Sequence, residues 1–83
     1  MKKWEAVYGE NIIRVENSFE GEKLFVNDTL QDEQVGYSVR ARLWGKLQTG
    51  EEVKVSLGGW FEVNCRIFVD NQLMEIKEVN KNG

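Results

Sequence analysis

The chain has no histidine, no proline and a single cysteine among its 83 residues. Without imidazole it lacks the usual general base, the commonest metal ligand and every Ser-His or Cys-His nucleophile pair. A lone Cys65 allows no intrachain disulfide, a usage typical of reducing compartments, so the cytoplasm is the expected location. A loop-rich β protein without proline must guard its sheet edges by charge instead. Long hydrophobic runs are missing too. No window approaches the ~20 apolar residues of a membrane-spanning helix, and Met1-Lys2-Lys3 leads into Trp4-Glu5 rather than an apolar stretch. Neither a signal peptide nor a membrane anchor is expected.

What is present is a globular composition: 41% hydrophobic and 30% charged residues, in a length that suits one domain spanning residues 1–83. The net charge is 11 − 14 = −3, opposite in sign to the basic excess that drives phosphate-backbone binding, so nucleic acid is an unlikely partner. The charge is uneven. Residues 1–35 hold four basic and eight acidic side chains, and residues 36–83 hold seven and six, which places any anion site in the second half.

Apolar residues recur with period two, in short runs bounded by Gly, Asn and Asp, which predicts an all-β fold. Tyr37, Val39, Ala41, Leu43 and Leu47 are assigned to the core face, and Ser38, Arg40, Arg42, Trp44 and Lys46 to the outer face. Four hairpins follow from turn chemistry. A Gly9-Glu10 turn pairs Trp4 with Val15, Glu5 with Arg14, Ala6 with Ile13 and Lys3 with Glu16. An Asn27-Asp28 turn pairs Phe25 with Leu30 and Lys23 with Asp32. A Gln48-Thr49-Gly50 loop pairs Lys46 with Glu52, Trp44 with Lys54 and Leu43 with Val55. An Asp70-Asn71 turn pairs Phe68 with Leu73, Ile67 with Met74 and Arg66 with Glu75.

About eight strands in consecutive hairpins must close into a small antiparallel sandwich or barrel, because an open sheet would leave an apolar face in water. Residues 24–31 and 67–74 align at an offset of 43, the mark of an internal repeat or of the shared demands of a tight turn. Asp28–Val35 could instead form a helical turn, and residues 79–83 are expected to fray.

Chemistry-bearing constellations are sparse. Cys65 has inward parity and reads as a core residue. Adjacent carboxylates such as Asp32-Glu33 and Glu51-Glu52 point to opposite sides of a strand and cannot share a proton or a metal. Neither a calcium loop nor a phosphate-cradling loop is present, so no metal and no cofactor are expected. Gly58-Gly59 reads as a bulge or sharp bend, and the neighbouring Trp60-Phe61 as a core plug rather than a ligand platform.

Two surface features remain. Arg40, Arg42, Trp44, Lys46 and Lys54 share one outward face, an indole among cations suited to binding, although Trp44 could simply lie under the Arg42 and Lys54 stems. The pairs Phe25 with Leu30 and Phe68 with Leu73 lie on the parity opposite the core and form a candidate association surface, or else seal a second side.

The runs Leu24-Phe25-Val26-Asn27-Asp28, Leu43-Trp44-Gly45-Lys46 and Cys65-Arg66-Ile67-Phe68-Val69-Asp70-Asn71 resemble those of small bacterial proteins of unassigned function. The hairpins are similar to the β-sandwich of the Fas apoptotic inhibitory molecule. The likeness covers most of residues 9–78 and consists of strand and turn residues, so it implies a β-sandwich and transfers no functional residue.

The function expected from these features is non-enzymatic protein–protein association, with homodimerisation as its form. The alternative is a ligand-binding module in which Trp44, Arg40 and Arg42 engage a glycan or single-stranded nucleic acid. An enzyme would require convergent carboxylates that the sequence does not supply.

Overall fold

A computed structural model describes residues 1–36, 40–59 and 61–79. The first four strands, β1 (Lys2–Tyr8), β2 (Asn11–Ser18), β3 (Gly21–Val26) and β4 (Thr29–Val35), form one meander. A second meander contains β5 (Arg40–Lys46), β6 (Glu52–Gly58), β7 (Asn64–Val69) and the two-residue β8 (Gln72–Leu73). The last strand, β9 (Lys77–Val79), returns to lie beside β1. The result is an all-β sandwich of two antiparallel sheets, ordered β4-β3-β2-β1-β9 and β5-β6-β7-β8. Among the described residues no helix is long and apolar enough to cross a membrane.

Alternation along each strand builds the core. Trp4, Ala6, Ile13, Val15, Leu24 and Val26 project from the five-stranded sheet; Leu43, Val53, Val55, Leu57, Cys65 and Ile67 are among those that meet them from the other. Ile13 and Ile67 are fully buried, each contributing about 1.5–3 kcal/mol over an exposed side chain. A one-residue slip would turn a whole strand's apolar set to solvent, so register is strongly specified. The predicted pairings across the Gly9-Glu10 turn and the Gln48-Thr49-Gly50 loop are all present. Tyr37, Ser38, Val39, Trp60 and residues 80–83 of the expected frayed tail lie outside the described residues.

Some local expectations are corrected and one open alternative is decided. Lys23 faces Glu33 rather than Asp32, because a bulge between Leu24 and Phe25 shifts the β3–β4 ladder by one residue after Phe25 meets Leu30. The Phe68–Leu73 pair forms, and the Met74 N–H bonds the Ile67 carbonyl at 2.8 Å, but Arg66 and Glu75 do not pair. There the chain leaves the four-stranded sheet for β9, and Met74 and Ile76 pack against the core on the way. Asp28–Val35 contains strand β4 rather than a helical turn, and Val79 is paired with Lys3 rather than frayed. Phe61 is fully exposed and plugs nothing.

The two copies of the repeated hairpin share their turn geometry. Asn27 and Asp28 have φ of 50° and 67°, and Asp70 and Asn71 have 48° and 66°, the two successive positive values of a type I′ turn. In each copy the first turn residue also caps a neighbouring strand. Asn27 Oδ1 accepts the Ile12 N–H, and Asp70 Oδ1 accepts the Glu52 N–H, both at 2.9 Å.

The β3–β4 bulge has a structural use. It sets Asp32 and Gln34 where their side chains reach across to β5. Asp32 Oδ2 accepts the Trp44 N–H at 2.8 Å, Gln31 Oε1 accepts the Lys46 N–H at 3.2 Å, and Gln34 Nε2 donates to the Arg40 carbonyl at 3.3 Å. Side chains of one sheet thus occupy the edge of the other, the charge-and-polar guard that replaces proline here.

Candidate functional site on the outer face of the four-stranded sheet

The outward residues of β5, β6 and β7 fall into register as rows. Trp44 faces Lys54, Lys54 faces Phe68, and Phe68 faces Leu73, so one row crosses all four strands. The next row is Arg42, Ser56 and Arg66, and the one after it Arg40, Gly58 and Asn64. The two sequence-predicted features therefore meet: Arg40, Arg42, Trp44, Lys46 and Lys54 share this face with Phe68 and Leu73. Trp44 is 57% exposed and Leu73 62%, while Phe68 is half-buried between them.

Phe25 and Leu30 do not belong to it. They pair on the outer face of the five-stranded sheet, on the opposite side of the sandwich, so no single contact surface contains all four residues of the expected association set. Phe25 is covered within the chain by the Arg14 guanidinium, 4.5 Å from the ring centre. Arg14 is held there by Asp28 at 2.7 Å and Glu16 at 3.0 Å, and the Asp28 hydrogen bond raises its pKa despite the cost of partial burial. A cation–π contact thus forms on Phe25, where the sequence did not suggest one; among the described residues none is formed by Arg42 or Lys54 on Trp44.

The electrostatics of the two faces differ. On the five-stranded sheet charges alternate in sign across strands: Glu5 lies between Arg14 and Lys77, and Lys23 between Glu16 and Glu33. On the four-stranded sheet the outward strand positions carry five cations, Arg40, Arg42, Lys46, Lys54 and Arg66, against one carboxylate, Glu52. Lys54 Nζ donates to Asn71 Oδ1 at 3.3 Å, a neutral acceptor that leaves its charge uncompensated. A chain of net negative charge therefore presents one electropositive face.

Arg66, Ser56, Gly58 and Asn64 were not among the sequence-predicted site residues. The parity of Arg66 with Phe68 was a usable signal, but the expected ion pair with Glu75 made it look neutralised. The glycine bend was expected and forms: Gly59 has φ of 146°, and a Cβ there would lie 2.0 Å from the Glu62 carbonyl oxygen, so the β6–β7 connection admits no other residue.

Among the described residues no three Cys, Asp or Glu side chains converge to hold a metal ion. Cys65 is buried, which pushes its thiol pKa up to about 12 and keeps it protonated and unreactive at neutral pH. The chain matches no protein family, no curated protein and no solved structure in the three comparisons made.

Proposed function

We propose that this protein is a non-enzymatic association module that binds an acidic surface of a partner protein through the outer face of its four-stranded sheet. The row Trp44, Lys54, Phe68 and Leu73 carries this reading, because it keeps an indole and a leucine more than half exposed among five cations. Aromatic and arginine residues around a small apolar centre are the composition of interfaces rather than of ordinary surface. The uncompensated charge selects an acidic partner and speeds encounter with it. A second copy docking by the same face would bring both cation sets together across a two-fold axis, which favours a different, acidic protein.

The test compares wild type, Trp44→Ala, Lys54→Glu and the opposite-face control Ile12→Ser as immobilised baits, each first shown folded by circular dichroism. Acidic proteins retained by wild type and control but lost from both face variants are expected. Equal retention by all four baits would overturn the reading. Light scattering is expected to give a monomer mass at every loading; a dimer that splits on Phe68→Asp would transfer the face to self-association.

One observation favours a second reading. Trp44 stands on β5 between Arg42 and Lys46, at outward positions about 6.8 Å apart, which suits stacking on a sugar or an unpaired base. Tryptophan fluorescence that is quenched by oligothymidylate or a glycan in wild type, and unchanged in Trp44→Ala, would support it.

A further inference from the structure

One end of this face is shaped as well as charged. The last two outward positions of β6 are the small residues Ser56 and Gly58, whereas the strands on either side carry longer ones. Arg42 and Arg66 flank Ser56, and Arg40 and Asn64 flank Gly58. The result is a trough of about 280 Å³ with a Ser-Gly floor and two polar banks. The banks stand two strand spacings apart, about 9.6 Å between backbones, so guanidinium groups can close on one small group from both sides.

No carboxylate lines the trough, and Arg42 and Arg66 have no ion-pair partner among the described residues. On the opposite face the chain pairs its arginine with two carboxylates. Here Arg42 and Arg66 face each other across Ser56 with no carboxylate set against either among the described residues, an arrangement that an anion arriving from outside would stabilise.

We infer that this trough is an oxyanion site that takes the phosphate monoester of a phosphorylated side chain on the partner protein. The inference rests on the reading of this face as the binding face. Arginine forks suit phosphate because each donates two parallel N–H bonds to its oxygens. The Ser56 hydroxyl and the Asn64 amide add neutral donors on the floor and one bank. A phosphomonoester carries about −1.5 to −2 charge at neutral pH and three terminal oxygens, enough for both the Arg42 and Arg66 forks to engage it at once. A nucleic-acid strand offers one charge per phosphate and must continue past the site, whereas the small-floored trough is only two rows long before Lys54 fills the β6 position.

The test follows the Arg Nε–H and Gly58 amide signals by NMR at constant ionic strength. The probes are a capped Gly-phosphoserine-Gly peptide, its unphosphorylated form, inorganic phosphate and oligothymidylate. Saturable shifts confined to Arg42, Arg66 and Gly58 are expected with the phosphopeptide alone or with it most tightly. Arg42→Gln or Arg66→Gln should each weaken binding on the order of tenfold, and Lys77→Gln, on the five-stranded sheet, should not. Unsaturated drift common to all anions, or equal weakening by Lys77→Gln, would show diffuse attraction and overturn the site. Tighter binding of oligothymidylate or of inorganic phosphate would overturn the phosphopeptide assignment. Trp44→Ala and Lys54→Glu lie outside the trough, so loss of partner there without anion binding would overturn the site and leave the association reading standing.

Discussion

Asp32 Oδ2 accepts the backbone N–H of Trp44 at 2.8 Å, joining the edge strand of one sheet to the edge strand of the other. This bond exists because of the bulge between Leu24 and Phe25, which displaces Asp32 from the position opposite Lys23. With the Gln31 and Gln34 bonds it fixes β5, and β5 carries Arg40, Arg42, Trp44 and Lys46. A departure from ideal register in one sheet thus positions the outer face of the other.

Removing that acceptor should loosen the face. Asp32→Ala leaves the Trp44 N–H without its partner and frees the β5 edge, at a cost of about 1 kcal/mol for a half-exposed bond. Urea denaturation should show the loss, and amide exchange at Trp44 should accelerate more than at Ile13 or Val15 in the middle of the five-stranded sheet. Unchanged exchange at Trp44 would mean that the bond does not hold the edge.

Gly45, also on β5, is fixed by packing rather than by backbone conformation. A Cβ there would lie 3.1 Å from both Gln31 Cβ and Leu24 Cδ2, so the sheets must part slightly to admit it. Gly45→Ala should destabilise by roughly 1–3 kcal/mol, the usual cost of overpacking. Thermal melting checks this, and a neutral or raised melting temperature would show that Gln31 yields.

Most of the fold was legible because short two-residue and three-residue turns tie register to local sequence. Opposite charges at Glu5 and Arg14, and apolar pairs such as Leu43 with Val55, then confirmed each choice. The bulge was not legible: Lys23 has an acid opposite it in either register, Asp32 or Glu33, so charge matching could not discriminate. The chain's departure to β9 was equally hidden, since Arg66 and Glu75 looked like a sound pair and only the competing demand of the open core edge draws Met74 and Ile76 away. Trp44 and Lys54 could be placed on the site from one hairpin alone. Arg66 and Asn64 could not, because the β6–β7 register depends on a longer connection through the Gly59 bend rather than on a tight turn.

Glu22 gives a pH prediction whose sign is opposite to that of a salt-bridged acid. It is 2% exposed; its Oε2 accepts the Asn17 amide at 2.8 Å, and Oε1 has no partner among the described residues. Burial raises its pKa above the ordinary 4.5, an effect the Asn17 bond only partly offsets. The folded state therefore holds this proton to higher pH than the unfolded state does. The contribution of Glu22 is least unfavourable below pH 4.5, and stability is lost as pH rises through the folded pKa. Glu22→Gln should be more stable than wild type at neutral pH, with the difference shrinking toward acid. Urea titrations at several pH values test this, and a constant difference would exclude titration as its cause.

Cys65 should report global unfolding. Its thiol, raised to about 12 and buried in the core, should resist a thiol-reactive dye at neutral pH and react at the rate of unfolding. Labelling that accelerates in step with urea-induced unfolding is expected. Fast labelling in the absence of denaturant would reveal a local opening of β7 instead.

The twin turns provide a test of whether two distant hairpins obey the same local physics. Asn27 and Asp70 both adopt positive φ, and both give a side-chain oxygen at 2.9 Å to the N–H of a neighbouring strand. Alanine at either position would lose the cap and place a Cβ in the left-handed region, a cost of about 1–3 kcal/mol together. Asn27→Gly and Asp70→Gly should recover the conformational part only, so each should fall between wild type and alanine. The exchange substitutions then separate the two sites. Asp70→Asn keeps the accepting oxygen and should be nearly neutral. Asn27→Asp should destabilise, because the Asn27 amide also donates to Asn11 Oδ1 at 2.9 Å and a carboxylate oxygen there would face another acceptor. Chemical denaturation of the six variants measures this, and equal tolerance of the exchange at both turns would show that the Asn11 bond contributes nothing in solution.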